Sequence, residues 1–148
     1  MSFIANDVRY KQRFQNFGSA FNLLKSALES KDFDDFSDLE LEGIVKRFEY
    51  TFELSWKLLK DYLEYEGIVF TIISPKSVLK ESANKGFFKE AGMDAEIYLD
   101  MLNTRNISTH QYDFEEFMNA ILKINGIFLN ELKKQYEYFL NKVNENDV

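Results

Sequence analysis

The sequence predicts an all-α fold, an up-and-down four-helix bundle with an additional short helix, and three observations carry that expectation. Only one proline and six glycines interrupt 148 residues, so breaks are few. The apolar residues recur every three to four positions instead of alternating, which is the period of a helix with one buried face. Hydrophobic residues make up 45% of the chain and aromatic residues 16%, with 15 Phe and 8 Tyr among them. That is enough apolar surface to close a core, and it excludes disorder by composition. The length suits a single domain spanning 1–148.

The first helix is expected from Val8 to Ser30, where Phe14, Phe17, Phe21, Leu24 and Leu28 form one stripe. Lys31 to Ser37 is polar and acidic and reads as a loop. A long second helix runs from Asp38 to Glu66, with Ile44, Phe48, Phe52, Trp56, Leu59 and Leu63 on its core face. Lys46, Arg47, Glu49, Glu53, Lys57, Lys60 and Glu64 largely decorate its other side. Trp56 lies in the stripe and reads as core, not as a platform for a nucleobase.

Gly67 is the stop of the second helix. The β-branched run Ile68 to Ile73 reads as an extended connector, because one such run without a partner makes no sheet. Ser74 followed by Pro75 is an N-cap with proline at the first helical position, so a short third helix covers Pro75 to Lys85 and ends at Gly86. Phe87 to Met93 reads as another connector. Asp94 caps a fourth helix that carries Ile97, Tyr98, Met101 and Leu102 toward the core. A fifth helix extends from Asp113 or Phe114 to Lys142, with Phe117, Ile121, Ile124, Phe128, Leu132 and Phe139 inward and Asn144 to Val148 fraying. Tyr50, Tyr62, Tyr65, Tyr136 and Tyr138 fall partly off the stripes and predict surplus aromatic surface for dimerisation or docking.

Several function classes are excluded or disfavoured. The absence of cysteine removes disulfides, thiolate metal sites and cysteine nucleophiles, and it fits a reducing compartment. The first residues lack the pattern of a signal peptide and no window reaches the length of a membrane span, so a cytoplasmic protein with no membrane contact is expected. Carboxylate pairs such as Glu115 and Glu116 lack the histidines and inward spacing of a di-iron bundle, so neither metal nor cofactor is expected. Eighteen basic against twenty-five acidic residues leave a formal charge of −7, which repels polyanions at long range. Nucleic-acid contact then needs a local basic patch. Arg9, Lys11, Arg13, Lys46 and Arg47 are candidates, although a solvated helix face is the simpler account of them.

Chemistry concentrates in the tract RNISTHQY, Arg105 to Tyr112, which holds the only histidine. Histidine both takes and gives a proton near neutral pH, and arginine holds developing charge on a phosphate through paired hydrogen bonds. Together they suit metal-independent RNA cleavage through the ribose 2′-hydroxyl. His110 serves as general base or acid, Arg105 stabilises the pentacoordinate phosphate, and Asn106 or Thr109 orients it. On a regular helix five residues turn about 140° and climb about 7.5 Å, so Arg105 and His110 do not share a face. Either the helix ends within Ser108 to Tyr112, or the arginine of one subunit faces the histidine of another. The competing account makes His110 a structural hydrogen-bonding residue beside Asp113, Arg105 a helix-end cation and Tyr112 a bundle tyrosine.

The tract RNISTHQYD resembles the signature of the HEPN superfamily, an arginine, four to six variable residues and a histidine, in the form with a tyrosine two positions later. Two further segments, RFEYTFELSWKLLKDYLEYE from Arg47 and SPKSVLKESANKGFFKE from Ser74, resemble in the same order the small proteins called nucleotidyltransferase substrate-binding proteins. The resemblance covers roughly Ala20 to Tyr138. It implies a HEPN-like bundle that forms a homodimer and associates with a minimal nucleotidyltransferase encoded nearby. It also implies two alternative functions. In one the chain is an endoribonuclease toxin, with Arg105 and His110 as the catalytic pair and Tyr112 as the residue that the transferase modifies with AMP. In the other it is a non-catalytic subunit that binds substrate for the transferase. Thr109 stands where the family pattern has serine and keeps the hydroxyl.

Overall fold

The computed structural model describes residues 3–108 and 113–146, and among them there is no strand. The first two helices, α1 (Phe3–Glu29) and α2 (Asp38–Tyr65), form an antiparallel pair. Tyr10 meets Tyr62, Arg13 meets Asp61 and Arg47 reaches the Leu23 carbonyl, so one numbering rises as the other falls. After α3 (Pro75–Asn84) and α4 (Phe87–Ala91) come α5 (Ala95–Ser108) and a final helical stretch. That stretch consists of α6 (Phe114–Lys123), a π-helical turn at Ile124–Phe128 and α7 (Leu129–Asn146). Phe48 stacks on Phe128, Ser55 bonds Gln135 and Tyr62 packs on Phe139, so α2 and the last helix run parallel. Asp94 bonds Glu131 while Lys123 pairs with Asp100, so α5 runs against the last helix. The up-and-down order follows.

Most of the predicted core stripes are buried, although Ile97 and Phe117 are only half-buried. Phe17, Leu24, Phe52, Leu59, Met101, Ile121, Ile124, Phe128, Leu132 and Phe139 are all fully enclosed, each contributing roughly 1.5–3 kcal/mol of transfer free energy. Trp56 is 6% exposed and belongs to the core. The caps are local and identifiable. Ser37 and Glu40 form a reciprocal capping box at the start of α2. Gly67, at φ +98°, ends it with two backbone bonds, Ile68 N–H to the Leu63 carbonyl at 2.9 Å and Gly67 N–H to the Glu64 carbonyl at 3.0 Å. The Ser74 side chain accepts from Ser77 N–H at 3.2 Å, with Pro75 in the first turn.

Several expectations need correction. Phe87 to Met93 is not a plain connector, because α4 occupies most of it. Phe87 and Phe88 are both buried, and the left-handed backbone at Gly86 and Gly92 frames the single turn that places them inward. The first helix begins at Phe3 rather than Val8, and the last reaches Asn146, so Asn144 and Glu145 are still helical. The Lys31 to Ser37 loop contains a short 3-10 turn at Phe33–Asp35. The surplus aromatic surface is smaller than predicted. Tyr50 is exposed, but Tyr62 is buried and Tyr65, Tyr136 and Tyr138 are half-buried. Tyr62 joins Tyr10, Tyr65, Phe87, Tyr138 and Phe139 in a cluster of tilted and edge-on rings.

One buried polar knot ties three helices together. Ser55 Oγ–H on α2 donates to Gln135 Oε1 on α7 at 2.6 Å, and Gln135 Nε2–H donates back to the Ser55 carbonyl at 3.0 Å. The Tyr98 hydroxyl on α5 donates toward the same Oε1 at 2.9 Å, with the Glu131 carbonyl at 3.2 Å. Burial raises the Tyr98 pKa well above its ordinary value, so the phenol stays a donor.

Candidate functional site

Arg105 lies in the last turn of α5, and the fold of that helix decides where it points. The Asp94 side chain accepts from Glu96 N–H at 2.9 Å and starts the helix. Tyr98, Met101, Leu102 and Thr104 bury its inner face. Arg105 is thereby held at the margin of the bundle, its side chain 25% exposed, whereas Asn106 faces solvent. Arg105 Nη1 lies 3.3 Å from Glu53 Oε2 on α2. The other Glu53 oxygen, Oε1, lies 3.5 Å from Lys57 Nζ one turn further on, and that ammonium sits 5.9 Å from the Trp56 ring centroid.

The chain is helical through Ser108, but Asp113 has extended backbone, φ −85° and ψ 170°, and its side chain caps α6 by accepting from Glu116 N–H at 2.8 Å. A single regular helix therefore does not run from Arg105 through Asp113. Of the two ways in which Arg105 and His110 can cooperate, a helix end between them is compatible with this geometry. Thr109, His110 and Tyr112 themselves lie outside the described residues.

Two surroundings of the motif bear on what it can bind. Asp38, Glu42, Asp113, Phe114 and Phe117 line an acidic and aromatic cleft of about 210 Å³ where α2 and α6 begin. The basic residues proposed as a patch are committed elsewhere. Arg13 pairs with Asp61 at 2.8 Å, Arg9 with Glu64 at 4.0 Å, Lys46 with Glu49 at 3.4 Å, and Arg47 donates to the Leu23 carbonyl at 2.9 Å. Arg9, Arg13 and Arg47 tie α1 to α2, whereas Lys46 pairs within α2 on a solvated face. Among the described residues no group of three His, Cys, Asp or Glu side chains is placed to hold a metal ion, and no helix is long and apolar enough to cross a membrane.

Glu53 and Lys57 are not among the site residues the sequence singled out. Their four-residue spacing is visible there, but it is also the commonest pattern of a solvated helix face. Only the approach of α5 shows that Glu53 faces an arginine 52 positions away.

Fold and motif together define a HEPN-type protein, an all-α HEPN-like bundle with the motif arginine at the end of its third long helix. The family model for nucleotidyltransferase substrate binding protein like chains matches residues 12–141, and the chain belongs to that family. It is 28% identical over 110 residues to a protein named "Probable ribonuclease HepT" from Haemophilus influenzae Rd, an alignment covering 68% of this chain and 73% of the relative. Its fold is similar to the crystal structure of a Thermus thermophilus protein, with a TM-score of 0.64 and 28% identity over 85% of this chain and 97% of that one.

Proposed function

We propose that this chain is a metal-independent endoribonuclease, the toxin of a two-component module whose other member is a minimal nucleotidyltransferase. The observation that carries the reading is Arg105, half-buried at the end of α5 and held by an acidic partner, with the single histidine five positions on and regular helix lost by Asp113. The likeness to a probable ribonuclease supports it. In the reaction, a base removes the proton of the ribose 2′-hydroxyl, whose oxygen attacks the adjacent phosphorus. The 5′-oxygen leaves and is protonated, giving a 2′,3′-cyclic phosphate and a free 5′-hydroxyl. His110 carries one of those proton transfers. The chain has one histidine, so the other falls to water or to His110 of a second copy in a homodimer. Arg105 neutralises the phosphorane, and Asn106 or Thr109 orients it.

Tyr112, two residues beyond His110, is the point of control in this reading. Attack of its hydroxyl on the α-phosphate of ATP in the partner enzyme expels pyrophosphate and leaves AMP beside Arg105. That phosphate competes with RNA for the same cation. A second reading, a non-catalytic subunit that holds substrate for the transferase, is favoured by the net charge of −7 and by the acidic cleft at Asp38, Glu42 and Asp113. The two part at His110. Expression of the wild-type chain without its partner is expected to arrest growth and cut RNA, and His110→Ala is expected to lose both while folding normally. A wild-type chain that does neither ends the toxin reading. Intact mass after co-expression with an active transferase and ATP tests the control step, which requires adenylyl adducts that Tyr112→Phe removes.

A further inference from the structure

Two cations share one carboxylate beside the motif. Glu53 Oε2 faces Arg105 Nη1 at 3.3 Å and Glu53 Oε1 faces Lys57 Nζ at 3.5 Å, so the trio carries a net positive charge within a chain of net charge −7. Both contacts are longer than the 2.7–2.9 Å or so of a tight charge-assisted bond. The carboxylate is thus shared between the two cations and closed on neither. A guanidinium has five N–H donors in a fixed fork; in Arg105, Nη1 meets Glu53 and Nε is buried, so the Nη groups are the ones that reach a phosphate.

The scaffold under Glu53 is firm. It lies in mid-helix between Phe52 and Leu54, which are 0% and 7% exposed, on a helix closed by a capping box at one end and by the Gly67 turn at the other. Arg105 instead occupies the last turn of α5, where a long side chain keeps its rotamer freedom if nothing restrains it. An ion pair this exposed, 34% for Glu53 and 25% for Arg105, adds little stability. Its effect lies in orientation.

We propose that Glu53 is a positioning residue for Arg105, and that by dividing its carboxylate between Arg105 and Lys57 it forms a net-positive subsite for an RNA phosphodiester. The subsite rests on the ribonuclease reading; the restraint on Arg105 does not. The carboxylate restrains the arginine through Nη1, and phosphate competes for the Nη donors, since Nε is buried. Lys57, less tightly held and 37% exposed, supplies the second charge along the RNA backbone.

The test uses the full-length chain, its Glu53→Gln and Glu53→Asp variants and Lys57→Met, with three readouts: melting temperature, kcat and KM on a short RNA, and the guanidinium NMR resonances of Arg105 assigned with Arg105→Lys. Glu53→Gln is expected to lower kcat about tenfold, because Arg105 loses its orientation. It is expected to lower KM about twofold, because a negative charge leaves the subsite. Melting stays unchanged and Glu53→Asp recovers part of kcat. Lys57→Met raises KM with kcat nearly unchanged. A purely structural role for Glu53 predicts a fall in kcat that tracks melting, with KM constant, and that result overturns the proposal, as does an unchanged kcat. If the wild-type chain does not cut RNA, the ribonuclease reading fails, and the subsite with it. The resonances still decide the restraint. Slowed guanidinium rotation in the wild type that is lost in Glu53→Gln supports it, and equal rotation in both refutes it.

Discussion

Replacing Gln135 with leucine isolates the polar knot that fixes α2, α5 and α7. Gln135 is fully buried, and leucine nearly matches its volume, so the substitution removes hydrogen bonds with little change in packing. Ser55 Oγ–H loses its acceptor at 2.6 Å, and the Ser55 carbonyl loses a donor at 3.0 Å but stays within the α2 helix. Tyr98 O–H loses its nearer acceptor at 2.9 Å and keeps the Glu131 carbonyl at 3.2 Å. One hydroxyl is thus orphaned and one weakened, at about 1–3 kcal/mol for a full loss and less for the second. A net cost of about 2–3 kcal/mol follows, or a fall in Tm of roughly 6–10 °C for a chain of this size. Urea denaturation followed by circular dichroism, at one protein concentration, measures it. The triple variant Ser55→Ala/Tyr98→Phe/Gln135→Leu leaves no hydroxyl seeking a partner and is expected to cost less than the sum of its single changes. A Gln135→Leu loss under about 0.5 kcal/mol, or a triple loss equal to that sum, would refute the reasoning.

Two further outcomes follow from ionisable groups. Asp61 is buried and holds Arg13 at 2.8 Å with Lys60 at 3.4 Å. Arg13→Met leaves the carboxylate with only the more distant cation and is expected to cost about 2 kcal/mol, while Arg13→Met/Asp61→Leu recovers most of it, both read from urea midpoints. Burial, and then donation to Glu66 at 2.7 Å, raises the Tyr62 pKa above its ordinary value of 10.0. A raised folded-state pKa means that the stabilisation is complete below about pH 10 and drains away as the pH climbs beyond it. Burial acts the same way on Tyr98 and Tyr138. Tm is expected to fall more steeply above pH 10 in the wild type than in Tyr62→Phe, and parallel curves would remove Tyr62 from the account.

The helices were legible in the sequence because each buries one periodic face, and the turns because Ser74, Gly67 and Asp113 are chemically suited to the ends they make. The capping box of Ser37 and Glu40 is local too, but the reading of Lys31 to Ser37 as a plain loop passed over it. What escaped depends on tertiary contact. Phe87 and Phe88 read as connector because a single turn is too short to show a period, and only the core beneath them makes it a helix. Gln135 occupies a core position that no apolar pattern reveals, since its partners are on α2 and α5. The candidate site divides in the same way. The motif stands out by its residue types, whereas Glu53 joins it only once α5 is laid against α2.

The π-helical turn at Ile124–Phe128 gives the last helix two phases. A backbone turn closed five residues apart shifts the faces on either side of it by more than an α-helix allows. Upstream, α6 starts at the Asp113 cap and buries Ile121; downstream, α7 buries Leu132, Gln135 and Phe139. The turn works as a joint between two shafts of equal pitch, letting Ile121 on one side and Leu132, Gln135 and Phe139 on the other reach the same core from different rotational settings.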